Sequence, residues 1–154
     1  MNSNPIVYLA GPVQHVADGG ADWRDELQSV WGDRFEFKNP LAKYNVPVEN
    51  LTVVDGLNSD GDDEVSVGEI VRGDKRLIYE SDAILIGYSD IQSIGTPMEA
   101  MFGYERHYPI AIWIRDDTDA DDLSPWYRYH ADTITANLDV ALASIRRSVD
   151  PTDE

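Results

Sequence analysis

The 154-residue chain has no cysteine, three histidines and only three lysines, Lys38, Lys43 and Lys75. Without cysteine there is no disulfide framework, no thiolate nucleophile and no Cys-ligated zinc. His15, His107 and His130 are scattered without metal-ligand spacing, so no metal is expected on them. No apolar run approaches the roughly 18 residues that span a bilayer, and Met1 to Gly11 lacks the basic start of a signal peptide. A soluble cytoplasmic protein without a membrane partner is the expectation. Basic charge is also scarce: 12 Lys and Arg face 29 Asp and Glu, a net charge of −17. Phosphate backbones reward Lys and Arg and repel carboxylates, so nucleic-acid polymers are not expected as partners.

With 42% hydrophobic residues a core can form, and the acids are spread too evenly for a disordered tail. They read as a halophilic surface, with carboxylates holding water and cations at high salt. The length suits one domain over residues 1–148, followed by an acidic C-terminal tail at 149–154.

Ile6 to Ala10 is an apolar run stopped by Gly11-Pro12, the pattern of a buried strand feeding a turn. Trp23, Leu27, Val30 and Trp31 fall at helical spacing with Asp22 as cap, and Phe35 to Phe37 begins a second strand. Prolines, glycines and acids from Asn39 to Asp63 mark a long irregular connection, with Leu51 to Val54 at most one short strand in it. Val67, Ile70, Val71, Leu77 and Ile78 predict a helix with one apolar face. Ala83 to Ile86, Ile110 to Ile114 and Asp132 to Thr135 read as three further strands. A helix over 97–107 and a last one capped by Asn137 complete the alternation. Apolar strands alternating with helices predict a three-layer α/β fold, a doubly wound, flavodoxin-like parallel sheet of five strands in the order 2-1-3-4-5. Its ligand crevice lies at the carboxyl ends of the first and third strands, at Gly11-Pro12 and within 87–95.

Two acids stand out. Asp74 falls at spacing seven from Val67, which puts a carboxylate on the apolar face of its helix. Burial without a partner would make it a proton donor. An ion pair with Arg72, Arg76 or another cation, or a bend at Gly73 that turns it outward, are the plainer alternatives. Glu99 closes Thr96-Pro97-Met98-Glu99, which has the form of a capping box, yet it also lies just past the third strand, at the crevice. Glycosyl transfer needs a carboxylate nucleophile and a second acid to protonate the leaving group, a pair these two residues can supply.

Around them, Ser93-Ile94-Gly95 offers a hydroxyl and backbone N–H groups. Tyr8 lies near the crevice or is simple core, and Arg24 is a nearby cation or a surface ion pair. Trp126 and His130 belong to an aromatic segment that can stack on a base. Asn58, Asp60, Asp62, Glu64, Ser66 and Glu69 occupy calcium-loop positions, but Asp63 stands where that loop needs glycine, so no calcium site is expected.

Tyr8-Leu-Ala-Gly-Pro12, Gly73-Asp74, and Ser93-Ile-Gly-Thr-Pro-Met-Glu99 followed by Gly103-Tyr104 resemble, in order and separation, the nucleoside 2-deoxyribosyltransferase family and its nucleotide N-hydrolase relatives. The resemblance spans most of residues 6–114. It implies a flavodoxin-like domain in a homo-oligomer whose sites are completed by a neighbouring subunit. It also implies Glu99 as the nucleophile that forms a glycosyl–enzyme, Asp74 as the acid for the departing base, and Tyr8 as the group orienting Glu99. Gly11, Pro12, Arg24, Ser93, Gly95, Trp126 and His130 are the expected substrate contacts. Transferases often carry Asp where this chain has Ser93, and serine there resembles the branch that hydrolyses 2′-deoxynucleoside 5′-monophosphates. Deoxyribosyl transfer between bases, a reaction that needs no metal or organic cofactor, is the leading expectation and that hydrolysis the alternative. A nucleotide-binding or sensing module on the same fold, with Glu99 only a cap, is the reading from a different class.

Overall fold

The computed structural model describes residues 3–13, 16, 18–44 and 46–150. The chain runs β1 (Ile6–Ala10), α1 (Ala21–Trp31), β2 (Glu36–Lys38), β3 (Thr52–Val54), β4 (Glu64–Ser66), α2 (Val67–Tyr79), β5 (Ala83–Tyr88), α3 (Gly95–Glu105), β6 (Ile110–Ile114), α4 (Pro125–His130), β7 (Thr133–Thr135) and α5 (Leu138–Val149). Five strands form one parallel sheet in the order β2-β1-β5-β6-β7, the flavodoxin-like arrangement expected, while β3 and β4 pair separately and in parallel. Among the described residues no helix is long and apolar enough to cross a membrane.

Strand alternation makes two cores. Val7 and Leu9 of β1 face Trp23 and Leu27 of α1 and Ala141, Leu142 and Ile145 of α5; Tyr8 and Ala10 face Ile78 of α2 and Ala100 of α3. Both sides of the sheet are therefore covered, which is why its strands read as continuous apolar runs. At the carboxyl ends of β1 and β5 the backbones come close. A Cβ on Gly11 would lie 2.9 Å from the Gly87 carbonyl oxygen, and one on Gly87 would lie 2.6 Å from the Trp23 ring. Glycine at both positions lets the crevice close down on Trp23.

Local details depart from the sequence reading. Asp18, rather than Asp22, caps α1: its carboxylate accepts from the Gly20 and Asp22 N–H groups at 2.8 and 2.9 Å, with Gly20 left-handed at φ 83°. Val30 is exposed. Helix α2 runs unbroken through Gly73, so there is no bend there. Val67 and Val71 are exposed and Ile78 is buried, because α2 docks through its C-terminal turns. Its N-terminus carries a complete capping box built from Ser66 and Glu69, two of the residues that stand at calcium-loop spacing. Ser66 Oγ accepts from Glu69 N–H at 3.0 Å and Glu69 Oε1 accepts from Ser66 N–H at 2.8 Å. Helix α5 includes Val149, which packs against the core; the rest of the expected tail at 151–154 lies outside the described residues, as does His15.

Candidate active site

A cavity of about 480 Å³ opens at the carboxyl end of the sheet, where the order reverses between β1 and β5. Its lining includes Tyr8, Gly11, Arg24, Asp74, Ser93, Gly95 and Glu99. The long connection and the β3–β4 pair supply an apolar wall, with Leu41, Val48, Leu51, Val53 and Val65 in it. Pro12 is buried beside this lining but not part of it, and Trp126 and His130 sit apart, on α4. His130 is buried, its Nδ1 2.7 Å from the Trp126 carbonyl, and it is ringed by Tyr104, Trp126 and Tyr129.

Glu99 does not cap its helix. Helix α3 begins at Gly95, Thr96 N–H donates to Ser93 Oγ at 3.3 Å, and the Ser93 and Thr96 hydroxyls are 2.6 Å apart. The Thr96–Glu99 capping box allowed by the sequence is not formed, which frees the Glu99 carboxyl for the cavity floor. There Tyr8 Oη donates to Glu99 Oε2 at 2.6 Å. Tyr8 reaches it because residue 8 faces α3 from a strand whose neighbours, Val7 and Leu9, face the other way.

Burial, with Asp74 adding repulsion, pushes the Glu99 pKa up to about 8; the Tyr8 hydrogen bond and the charges of Arg24 and Lys43 oppose the rise. Burial thus favours the protonated form of the Glu99 carboxyl. Burial and then Glu99 itself raise the Tyr8 phenol well above its ordinary range, so it stays a donor. Arg24 is 1% exposed, and burial lowers its pKa to about 10. Its guanidinium donates to three carbonyls, those of Leu9, Gly11 and Gly20, at 3.2, 3.2 and 2.9 Å.

Asp74 finds the cation that the sequence left open, and it is Lys43 rather than Arg72 or Arg76. Lys43 Nζ lies 2.5 Å from Asp74 Oδ1. Lys43 and Tyr44 are site residues that sequence reasoning missed. They lie in a stretch without periodicity, and the only signal there was the length of the connection. Among the described residues no group of three or more His, Asp and Glu could hold a metal ion.

Fold and site together define a doubly wound α/β protein with a two-carboxylate, tyrosine-supported cavity at its topological switch point. Compared with known proteins, the chain matches no protein-family model and no curated protein.

Proposed function

We propose that the protein breaks the N-glycosidic bond of 2′-deoxynucleosides and passes the deoxyribosyl group to a second base, in two steps with retention. The observation that carries this reading is the Glu99 carboxyl, held by Tyr8 at the cavity floor and sharing the cavity with Asp74. Burial favours the protonated Glu99 carboxyl, and this proton passes from Glu99 to Asp74 as the substrate binds. As the bond from C1′ to the base nitrogen breaks through an oxocarbenium-like state, its electron pair goes to the base, and Asp74 delivers the dyad's proton there. Glu99, now a carboxylate, forms the ester to C1′. A second base attacks C1′, displaces Glu99 and returns a proton to the pair. Tyr8 fixes the attacking oxygen throughout.

The apolar wall suits a nucleobase, and the cations support a neutral substrate. Arg24 and Lys43, the two that line the cavity among the described residues, are both engaged, Arg24 by carbonyls and Lys43 by Asp74 and the Pro40 carbonyl. A 5′-phosphate would have to compete for them inside an acidic protein. The test is incubation at high salt with a 2′-deoxynucleoside and a different free base. A new nucleoside is the expected product. Free deoxyribose alone would replace transfer by hydrolysis, turnover of the 5′-monophosphate alone would favour the nucleotide branch, and binding without base release would leave a sensing module.

We further propose a homo-oligomer joined through α3 and α4. Ile94, Met98, Met101 and Tyr104 make an exposed stripe along α3, and Tyr104 meets Tyr129 at 5.3 Å between ring centroids. Trp126 and Tyr129 continue it at 63% and 68% exposure. Such a continuous apolar patch on one face is an association surface. Light scattering is expected to give a mass at least twice that of the chain, and Met98→Glu to move it toward the monomer. A monomeric parent would refute the assembly.

A further inference from the structure

We propose that Lys43 is the positioning residue of the site: seated in the notch that Gly73 leaves on α2 and tied to the Pro40 carbonyl, its ammonium holds one Asp74 oxygen so that the other faces the bound base. This rests on the glycosyl-transfer reading and adds to it a group that neither the motifs nor the resemblance contains.

Three observations build the clamp. The first is the pair itself: Nζ lies 2.5 Å from Asp74 Oδ1 and donates to the Pro40 carbonyl at 2.8 Å, with both side chains mostly shielded, at 24% and 22% exposure. The second is where Lys43 comes from. The turn Pro40–Lys43 is pinned at its start, where Asn39 Oδ1 accepts from Leu41 N–H at 2.9 Å, so the lysine projects from a fixed base rather than a loose loop. The third is Gly73. Glycine weakens a helix interior relative to alanine, yet one stands in the middle of α2, next to Asp74. A Cβ there would lie 3.0 and 3.2 Å from Lys43 Cε and Cδ. The helix gives up its best residue type at the point where the lysine stem crosses it.

The chemical need follows from the charges. Two carboxyls in one cavity repel, and an unheld Asp74 would relax toward water, away from the base. A single ammonium on Oδ1 counters the repulsion and leaves Oδ2 to carry a proton to the leaving nitrogen. Rate gains of this kind come from orientation and are lost when the group can wander. Glu99, which reads the charge on Lys43, is faced by Tyr8 from β1, Arg24 from α1, Asp74 from α2 and Lys43 from its turn, with Tyr127 of α4 farther off.

The experiment compares the parent, Lys43→Met, Lys43→Arg and Gly73→Ala in base release from 2′-deoxynucleosides across pH. Lys43→Met keeps the stem without the charge. It is expected to lower kcat about 30- to 100-fold with KM within about threefold, and to move the alkaline fall in rate to higher pH. Lys43→Arg is expected to restore kcat to within about fivefold, because it returns the charge. Gly73→Ala keeps the charge but pushes the stem by a few tenths of an ångström. It is expected to cost kcat about three- to tenfold while the helix gains stability. A Lys43→Met variant with parental kcat, or a loss that Lys43→Arg does not reverse, overturns the proposal. Should Lys43→Met fail to fold, Gly73→Ala decides: parental kcat there overturns it. If the parent releases no base, the glycosyl-transfer reading fails on its own. The clamp is then read by 13C NMR titration of the Glu99 carboxyl, where an upward shift in Lys43→Met supports it and coincident titrations reject it.

Discussion

Replacing Glu99 by alanine is expected to lower base release by about 10⁴-fold or more, and Glu99→Gln by a similar factor, since neither side chain can form the ester to C1′. KM is expected to change little. The parent's kcat/KM should fall as pH rises through about 8, where the free site gives up the proton that the leaving base needs. A rate that instead climbs through pH 8 would mean that the ionised free enzyme is the reactive form and that the base takes its proton elsewhere. Stability reports the same carboxyl independently. Its folded pKa is raised, so between the ordinary value of 4.5 and about 8 the folded state keeps a proton that the unfolded chain has lost. This group's contribution is therefore full below about pH 4.5 and declines as pH rises toward 8. Glu99→Gln removes the ionisation, so it is expected to melt above the parent at pH 9 and to lose that part of the pH dependence. A variant that is more stable and inactive is the signature of a strained catalytic group. Were Glu99 a cap, the same change would instead lower helix stability, and the hydrogen bonds that a cap would need are made by Ser93 and Thr96.

The parallel sheet was legible because its strands are short, apolar and separated by helical periods, and the order followed from doubly wound topology. The crevice follows from the sheet and draws attention to Tyr8, Ser93 and Glu99, whereas Asp74 stands out by its place on the apolar face of its helix and the roles of Tyr8, Asp74 and Glu99 are what the family resemblance implies. What escaped belongs to the connection between β2 and α2. Lys43 sits in a short turn with no period to mark it, and its partner is 31 residues away. The Ser66–Glu69 box is visible as Ser-x-x-Glu, but it is embedded in acids at calcium-loop spacing, which mask the cap without making a calcium site. At Thr96 the local pattern promised a cap that tertiary structure overrode: Ser93, three residues earlier, takes the amide, and Tyr8 from a distant strand takes the carboxyl. Val67 and Val71 kept helical spacing but not burial, because a period shows which residues share a face and not how far along that face the sheet extends.

Arg24 carries the second large effect, and here it is on stability. Its three hydrogen bonds all end on neutral carbonyls at the end of β1 and the start of α1, so the guanidinium ties Leu9 and Gly11 to Gly20. Arg24→Met keeps much of the stem but strands the Leu9 and Gly11 carbonyls where water reaches poorly, while the Gly20 carbonyl, at the N-cap of α1, keeps its helical amide partner. One unsatisfied buried acceptor costs about 1–3 kcal/mol, so with partial relaxation the two together should cost about 3 kcal/mol. In urea the midpoint is expected to fall by that free energy divided by the slope, with the slope unchanged. Arg24→Lys should recover less than half, since an ammonium cannot span three carbonyls that a planar fork reaches. The kinetics separate this role from the substrate contact that the sequence suggested. A cation that bound substrate would raise KM when exchanged for lysine. A clamp held on three backbone carbonyls should instead affect kcat, through Gly11 and through its charge opposite Glu99, while KM stays within about threefold. An increase in KM above tenfold with stability unchanged would return Arg24 to the substrate.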